Sequence, residues 1–386
     1  MSDGSSGVPL LDVARGNNPH REEFLEALAN VVDSGQFLFG PDVRKLEEEV
    51  AALSQAENAV GCASGSDALL LALMALGIGP GDEVIVPSFT FFASISCITR
   101  LGATPRLVDI VPETFNADPA SIEAAITPHT KAIIPVHLFG QCAAIDKICQ
   151  IAGQHDIPLV EDAAQAIGAA YHSRPAGSWG SVGCFSFYPT KNLGGMGDGG
   201  MLTSNDAAMA DRLRLFAGHG MRPRYHHQVV GINSRLDSFQ AAVLRVKLNY
   251  LAAAIEGRQN AAARYTKMLE AEGLANGQQC IIPKPEKHAF HVWNQYAVRI
   301  PGGHRDALRS HLAERGIGSE IYYPIPVHRQ KCYAGAAWAD VHLPETDRAC
   351  AEVLNLPIFP ELTEAEQQRV VDGFRSYFAD KARLAA

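Results

Sequence analysis

The 386-residue sequence has no excess of positive charge, no paired-cysteine motif and no long apolar run. Its formal net charge of −9 leaves no overall basic field that would attract nucleic acid or an anionic membrane. The eight cysteines include no CxxC pair, and the first residues lack the basic and apolar regions of a secretory signal. No apolar stretch approaches the roughly 20 residues of a membrane helix. These absences predict a soluble, cytoplasmic globular protein.

Metal-ligand spacing is also missing. The 14 histidines form no HxH or HxxxH pair that is backed by further ligands, which is the pattern that zinc sites require. We therefore expect no metal centre.

One stretch, SVGCFSFYPTKNLGGMGDGGML (residues 181–202), concentrates unusual features. An apolar, strand-like segment ends at a proline, and Lys191 and a run of glycines follow. A lysine beside a glycine-rich turn is most often an incidental surface residue. Upstream, however, the apolar run in PLVEDAAQAIGA ends with Glu161 and Asp162, where open α/β sheets bind their ligands. A lysine and a carboxylate together indicate pyridoxal 5′-phosphate (PLP), which needs both.

The order of patterns predicts an α/β fold in two domains. Near-continuous apolar strands alternate with helical patterns up to about residue 256, which indicates a mostly parallel sheet covered on both faces. After residue 256 the alternation of strands and helices is less regular and is more typical of an α+β arrangement. We expect residues 1–256 to form an amino-terminal arm (residues 1–18, loosely held) and a large domain, and residues 257–386 a small domain. One long helix is predicted from about Asp237 through Ile255, and a capping box of Thr363 and Glu366 begins the last helix.

Ser64–Gly65–Ser66 precedes the helical pattern ALLLALMALG. Free N–H groups and the helix dipole at such a position favour an anion, so the turn is a candidate phosphate cradle. The alternative interpretation is an ordinary helix cap at Ser66.

Four motifs, GCASGSDAL, VEDAAQAIGA, SFYPTKNLGGMGDGG and GINSRLD, occur in the order found in the DegT/DnrJ/EryC1/StrS aminotransferases, and the sequence resembles that family from about Leu10 to Phe378. The resemblance implies PLP-dependent transferase fold type I, with a large domain around a mainly parallel seven-stranded sheet and a smaller carboxy-terminal α/β domain. It also implies a homodimer with active sites at the subunit interface.

The resemblance gives eight positions an implied cofactor role. They are Lys191 (Schiff-base lysine), Asp162 (partner of the pyridine nitrogen), Gln165 (near the ring hydroxyl), Ser186 (phosphate), Gly65 and Ser66 (phosphate cradle), Phe91 (ring face) and Asn233 (phosphate of the other subunit).

The implied reaction moves an amino group, from glutamate in the family, to a nucleotide-linked keto-sugar. Relatives with histidine in place of the lysine catalyse dehydration, so Lys191 favours transamination. The alternatives are a 4-keto sugar aminotransferase, a cyclitol aminotransferase, a PLP-dependent dehydratase and a non-catalytic regulator. The last has no use for the complete set of cofactor positions.

The letters Tyr188, Pro189, Asn192 and Asp198 resemble relatives that aminate carbon 3 rather than carbon 4. The segment RYHHQVVGINSRLD resembles enzymes for UDP-linked 3-keto N-acetylglucosaminuronate, and FYPTKNLG equally suits enzymes for dTDP-linked 3-keto-6-deoxyhexoses. An arginine can clamp a phosphate or carboxylate through two hydrogen bonds. Candidate substrate contacts are Arg235, Tyr322 and His328, followed by Tyr225, His226 and His227. The histidine pair could equally be a solvated loop, and Arg235 could cap the following helix.

Overall fold

The computed structural model describes residues 7–385, with side chains through residue 381. The strands are β1 (Asn58–Cys62), β2 (Glu83–Pro87), β3 (Thr104–Val108), β4 (Thr130–Ile133), β5 (Val160–Asp162), β6 (Ala170–Tyr171), β7 (Arg174–Pro175), β8 (Val182–Ser186), β9 (Gly200–Ser204), β10 (Ala289–Phe290), β11 (Tyr296–Arg299) and β12 (Val353–Leu356).

The α-helices are α1 (Val13–Asn17), α2 (Arg21–Ser34), α3 (Pro41–Leu53), α4 (Gly65–Leu76), α5 (Ala93–Arg100), α6 (Pro119–Ala125), α7 (Ile145–Gln154), α8 (Ala207–Ala217), α9 (Ser238–Leu248), α10 (Leu251–Ala271), α11 (Arg305–Glu314), α12 (Pro344–Glu352) and α13 (Glu364–Ala385). In the described residues, no helix combines the length and apolarity needed to cross a bilayer.

A seven-stranded sheet lies at the centre of the larger part of the molecule. One segment has the order β1-β9-β8-β5 and another the order β3-β2-β4. Parallel bridges join Ile133 to Leu159 and Val136 to Asp162, so β4 continues the first segment beside β5. Only β9 runs against its neighbours, being antiparallel to both β1 and β8. The predicted mainly parallel α/β sheet is therefore confirmed.

Helices cover both faces of this sheet because side chains alternate along each strand. Ile85 of β2 packs into one apolar core with Leu46 of α3. Its neighbours Val84 and Val86 face the opposite core, which contains Leu71 of α4. Burial on both faces explains why the strands are near-continuous apolar runs in the sequence.

The carboxy-terminal part has its own core around the antiparallel pair β11 and β12, against which α10, α11 and α13 pack. Helix α10 joins the two parts: Ile255 belongs to the large core, and Ala261 to the small one. The division after residue 256 stays a prediction. The capping box is present, since Thr363 N donates to Glu366 Oε2 at 2.8 Å and Glu366 N to Thr363 Oγ1 at 3.2 Å.

Two expectations are corrected. The single helix predicted through Ile255 is two helices, α9 and α10, because Tyr250 N bonds to Lys247 O three residues back and tightens the last turn of α9. The arm (residues 1–18) is not loose in its described part. Val8 is 1% exposed within the small core and forms a parallel bridge with Ile317. Residues 1–6 of the arm lie outside the described residues.

Candidate active site

A cavity of about 510 Å³ opens between the amino-terminal end of α4 and the carboxyl ends of β5 and β8. Most of the predicted cofactor positions line it, together with one of the predicted substrate contacts. They are Gly65, Ser66, Phe91, Asp162, Gln165, Ser186, Lys191 and Tyr322.

The beginning of α4 leaves hydrogen-bond donors at this cavity. Ser64 is the helix cap, because its side chain accepts from Asp67 N at 3.1 Å, so the alternative of a cap at Ser66 is wrong. The N–H groups of Gly65 and Ser66 then have no acceptor within the helix, as at any helix start. A Cβ on Gly65 would come 2.6 Å from Ser186 Cβ, so glycine is needed for the helix end to approach Ser186. This arrangement suits a phosphate group.

The two adjacent carboxylates of β5 point to opposite faces of the sheet, as strand periodicity requires. Asp162 lines the cavity and is 5% exposed. Its Oδ2 accepts from Ser94 Oγ at 2.7 Å and its Oδ1 from Ala164 N at 3.2 Å. Each oxygen can accept more than one hydrogen bond, so the carboxylate retains capacity for a further donor.

Glu161 is instead a structural anchor. It is fully buried and accepts from Trp179 N (2.7 Å), Gly180 N (2.8 Å), Gly177 N (2.8 Å) and His137 Nε2 (2.9 Å). Because His137 Nδ1 accepts from a backbone N–H, its Nε2 carries the proton that is donated to Glu161. Four donors compensate the desolvation of the carboxylate.

Lys191 lies in the turn after β8, where its backbone N–H donates to Tyr188 O at 2.9 Å. Burial at the cavity lowers the pKa of its amine to about 8, and the negative charge of Asp162 opposes this shift. An amine with this pKa is partly neutral near pH 7.5 and can act as a nucleophile. The turn is fastened by Asn192, whose side chain donates to Val292 O and accepts from Asn294 Nδ2, both at 2.9 Å.

Gln165 is held with its amide nitrogen available. Its Oε1 accepts from Phe139 N at 2.7 Å, which leaves Nε2 as the donor, at 3.4 Å from Tyr323 OH. Phe91 is 56% exposed, and its ring centroid lies 6.1 Å from that of Tyr323. An uncovered aromatic face therefore stands beside the cavity.

The other predicted site residues do not line this cavity in the single chain. Asn233 is exposed and pairs with Gly218. Arg235 lies 5.5 Å above the Phe39 ring. His328 is buried, with Nδ1 2.6 Å from Ser88 Oγ. The segment Tyr225–His227 is exposed. The roles predicted for these residues stay predictions.

Sequence reasoning missed several cavity residues, namely Thr90, His137, Thr190, Gln295 and Tyr323. It also missed Ser94, which does not line the cavity but hydrogen-bonds to Asp162. Thr90 and Ser94 gave a usable signal as hydroxyls in an otherwise apolar segment, because a buried hydroxyl needs a hydrogen-bond partner. Gln295 and Tyr323 gave none, because they come from chain segments more than 100 residues away.

The residues present fit PLP. Two free helix N–H groups and Ser186 suit its phosphate, Asp162 suits its ring nitrogen, and Lys191 suits its aldehyde.

Comparison with known proteins agrees with this chemistry. A sequence model described as the DegT/DnrJ/EryC1/StrS aminotransferase family matches residues 18–375. The chain is 46% identical to a Geobacillus stearothermophilus protein named pleiotropic regulatory protein, over 96% of this chain and 98% of that one. It is 44% identical to the UDP-N-acetyl-3-dehydro-α-D-glucosamine 3-aminotransferase of Acidithiobacillus ferrooxidans, with the same coverage. The crystal structure of S. venezuelae DesV with a ketimine intermediate is similar at a TM-score of 0.91 and 44% identity, covering 97% of this chain and 99% of that one.

Proposed function

The chain belongs to the DegT/DnrJ/EryC1/StrS aminotransferase family, and from this premise we propose that it uses PLP to aminate carbon 3 of a nucleotide-linked keto-sugar. The observation that carries the proposal is the cavity that joins Lys191, Asp162 and the free donors of α4. The relative named as a 3-aminotransferase supports carbon 3, as do Tyr188 and Asp198 at the cavity. The sugar is UDP-linked or dTDP-linked.

When bound, PLP supplies an electron sink and carries the amino group from donor to acceptor. The residues of the chain divide the remaining work. The backbone of Gly65 and Ser66 and the hydroxyl of Ser186 bind the phosphate. Asp162 would accept a hydrogen bond from the protonated ring nitrogen and keep that proton in place. Gln165, with Nε2 free to donate, would bind the ring hydroxyl oxygen.

Lys191 moves the proton. Its amine, with a pKa of about 8, takes up a proton and returns it near neutral pH, which makes Nζ a suitable general acid and base. Such transfer typically contributes about 10²–10⁴-fold to the rate. Phe91 would cover one face of the ring, and Tyr188 and Asp198, which line the cavity, would contact the sugar.

A second copy of the chain completes the site in this proposal. Asn233 is exposed and away from its own cavity, as expected of a residue that reaches the phosphate of a neighbouring subunit. Arg235 and His328 are assigned to the substrate from the family resemblance. The donor is glutamate, and the enzyme works in the cytoplasm as a homodimer.

The name of the 46%-identical relative keeps a regulatory function as a second candidate. A binding protein does not need a lysine with a lowered pKa beside a buried carboxylate, and this favours catalysis.

The experiment uses the purified full-length protein with PLP and glutamate. It is offered UDP-linked and dTDP-linked sugars with the keto group at carbon 3 or carbon 4, and products are identified by mass spectrometry and NMR. We expect yellow protein and amination of a 3-keto sugar. Exclusive amination of 4-keto sugars would refute the assignment of the carbon, and protein that ignores PLP would refute catalysis.

Lys191→Ala, with Lys247→Ala as its matched control, tests the lysine. Burial also lowers the pKa of Lys247 to about 8, but Lys247 does not line this cavity. Turnover should be lost in the first variant and kept in the second.

A further inference from the structure

A buried row of hydroxyls ends on Asp162. Thr90 Oγ1 lies 2.8 Å from Ser94 Oγ, and Ser94 Oγ donates to Asp162 Oδ2 at 2.7 Å. The three side chains are 2%, 0% and 5% exposed. Because the hydroxyl proton of Ser94 is used on Asp162, Thr90 must be the donor between the two hydroxyls. The row therefore points all its donors toward the carboxylate.

The row is set by the local fold. Thr90 lies in the loop between β2 and α5, and Ser94 lies in the first turn of α5; the turn of the chain into the helix brings the two hydroxyls together. The rest of that turn is apolar and buried, with Ile95 and Ile98 in the core of the large domain. A buried hydroxyl is costly unless it is hydrogen-bonded, and Asp162 is the acceptor that Ser94 has.

We propose that Ser94, supported by Thr90, is a positioning residue that fixes the rotation and the charge of Asp162 toward the cofactor ring nitrogen. The inference rests on the proposed use of PLP. Oδ1 and Oδ2 each receive one fixed donor, from Ala164 N and from Ser94, so the carboxylate plane cannot rotate freely. A donor on a carboxylate also stabilises its charged form.

Several titratable groups face Asp162 and bear on its charge. Lys191 is the cation of the cavity, and it interacts with Asp162 electrostatically. Cys97 of α5, Cys184 of β8 and Tyr323 also interact with it, and burial raises the pKa of each, so they remain neutral near pH 7. Removal of the Ser94 hydroxyl thus removes the neutral donor that favours the charged carboxylate.

The test measures PLP affinity as a function of pH, by absorbance titration of the full-length protein. Ser94→Ala should weaken PLP binding about tenfold at pH 7.5, the scale of one hydrogen bond to a charged group. Affinity should also fall further on lowering the pH than it does in the wild type, because the variant lacks a donor that stabilises the charged carboxylate. Ser94→Thr, which retains the hydroxyl, should restore the wild-type pH profile.

Ser96→Ala is the matched control. It removes a hydroxyl from the same helix, but Ser96 Oγ bonds only weakly to Ala93 O, at 3.5 Å. Its affinity and pH profile should equal those of the wild type. Thr90→Val tests the row without touching Asp162 and should give a smaller shift in the same direction. If Ser94→Ala does not fold, the result for Thr90→Val decides whether the hydroxyl row positions Asp162.

The outcomes are distinct. If wild-type protein binds PLP and neither Ser94→Ala nor Thr90→Val moves the pH profile, the positioning role is refuted while the proposed function stands. If Ser94→Ala lowers affinity equally at every pH, the role is steric only and the inference fails. If wild-type protein does not bind PLP, the proposed function fails first.

Discussion

The titration of Lys191 is a direct consequence of its burial. With a pKa of about 8, about a quarter of the amine is neutral at pH 7.5. An amine at the reference value of 10.5 would be neutral in only about one molecule in a thousand. Lys191 of the unloaded protein should therefore react about 200-fold faster with an amine-directed reagent than it would at that reference value, and its reaction rate should rise with pH to a midpoint near 8.

The measurement is a short pulse of acetic anhydride at pH 6–11, followed by peptide mass spectrometry. Lys247 serves as an internal control, because burial lowers its pKa to about 8 as well while Glu361, not Asp162, opposes the shift. Asp162→Asn removes the charge that raises the pKa of Lys191, so the Lys191 midpoint should fall by about 1 unit. The Lys247 midpoint should stay where it is. Glu361→Gln should instead lower the Lys247 midpoint and leave the Lys191 midpoint unchanged.

A Lys191 midpoint near 10.5 in the unloaded protein would refute the argument from burial. If Asp162→Asn lowered the titration midpoints of Lys191 and Lys247 equally, the specific electrostatic coupling between Asp162 and Lys191 would be refuted.

Three further changes test other parts of the structure. Gly65→Ala brings a Cβ 2.6 Å from Ser186 Cβ and should weaken PLP binding at least about tenfold by absorbance titration. Gly153→Ala is its control, because no atom lies within 4 Å of the new Cβ. Equal PLP affinities of the two variants would contradict the phosphate cradle. Glu161→Gln replaces a carboxylate that accepts four hydrogen bonds and should lower the free energy of unfolding by about 3 kcal/mol in urea, whereas an unchanged midpoint would show that the anchor is dispensable. Thr363→Ala should cost about 1 kcal/mol by the same assay through loss of the cap of α13, and a neutral result would mean that the capping box does not stabilise the helix.

Much of the architecture could be predicted because it depends on local patterns. Apolar residues at helical spacing in α3 (Val43, Leu46, Val50) form its buried face. Alternating strands and helices were enough to predict the parallel sheet. The break between α9 and α10 was not predictable, because both sides of Tyr250 have helical periodicity. The break coincides with a hydrogen bond three residues back and with the stacking of Tyr250 against His20, the residue before α2.

The candidate site was predictable where its residues lie in motifs and not where they meet through tertiary structure. Glu161 and Asp162 were both expected at the strand end, but the sequence does not tell which of them faces the cavity. That depends on which face of β5 is covered by the loop at Gly177–Gly180. Likewise, Ser94 is 68 residues from Asp162 in the chain, and only the tertiary fold brings the start of α5 to the carboxyl end of β5.

Because the side chains of Glu161 and Asp162 point to opposite faces of the sheet, activity depends on the correct register of β5. In β5, Glu161 pairs with Gly183 and Asp162 with Cys184 of β8. A slip by one residue would turn every side chain of β5 to the other face. A slip in one direction would put Asp162, one methylene shorter, in the place of the anchor and Ala163 at the cavity. A slip in the other direction would put Val160 in the place of the anchor and Glu161 at the cavity. A misregistered chain would therefore lose its stability and its chemistry together, so it would be exposed to proteolysis rather than accumulate as an inert but well-folded enzyme.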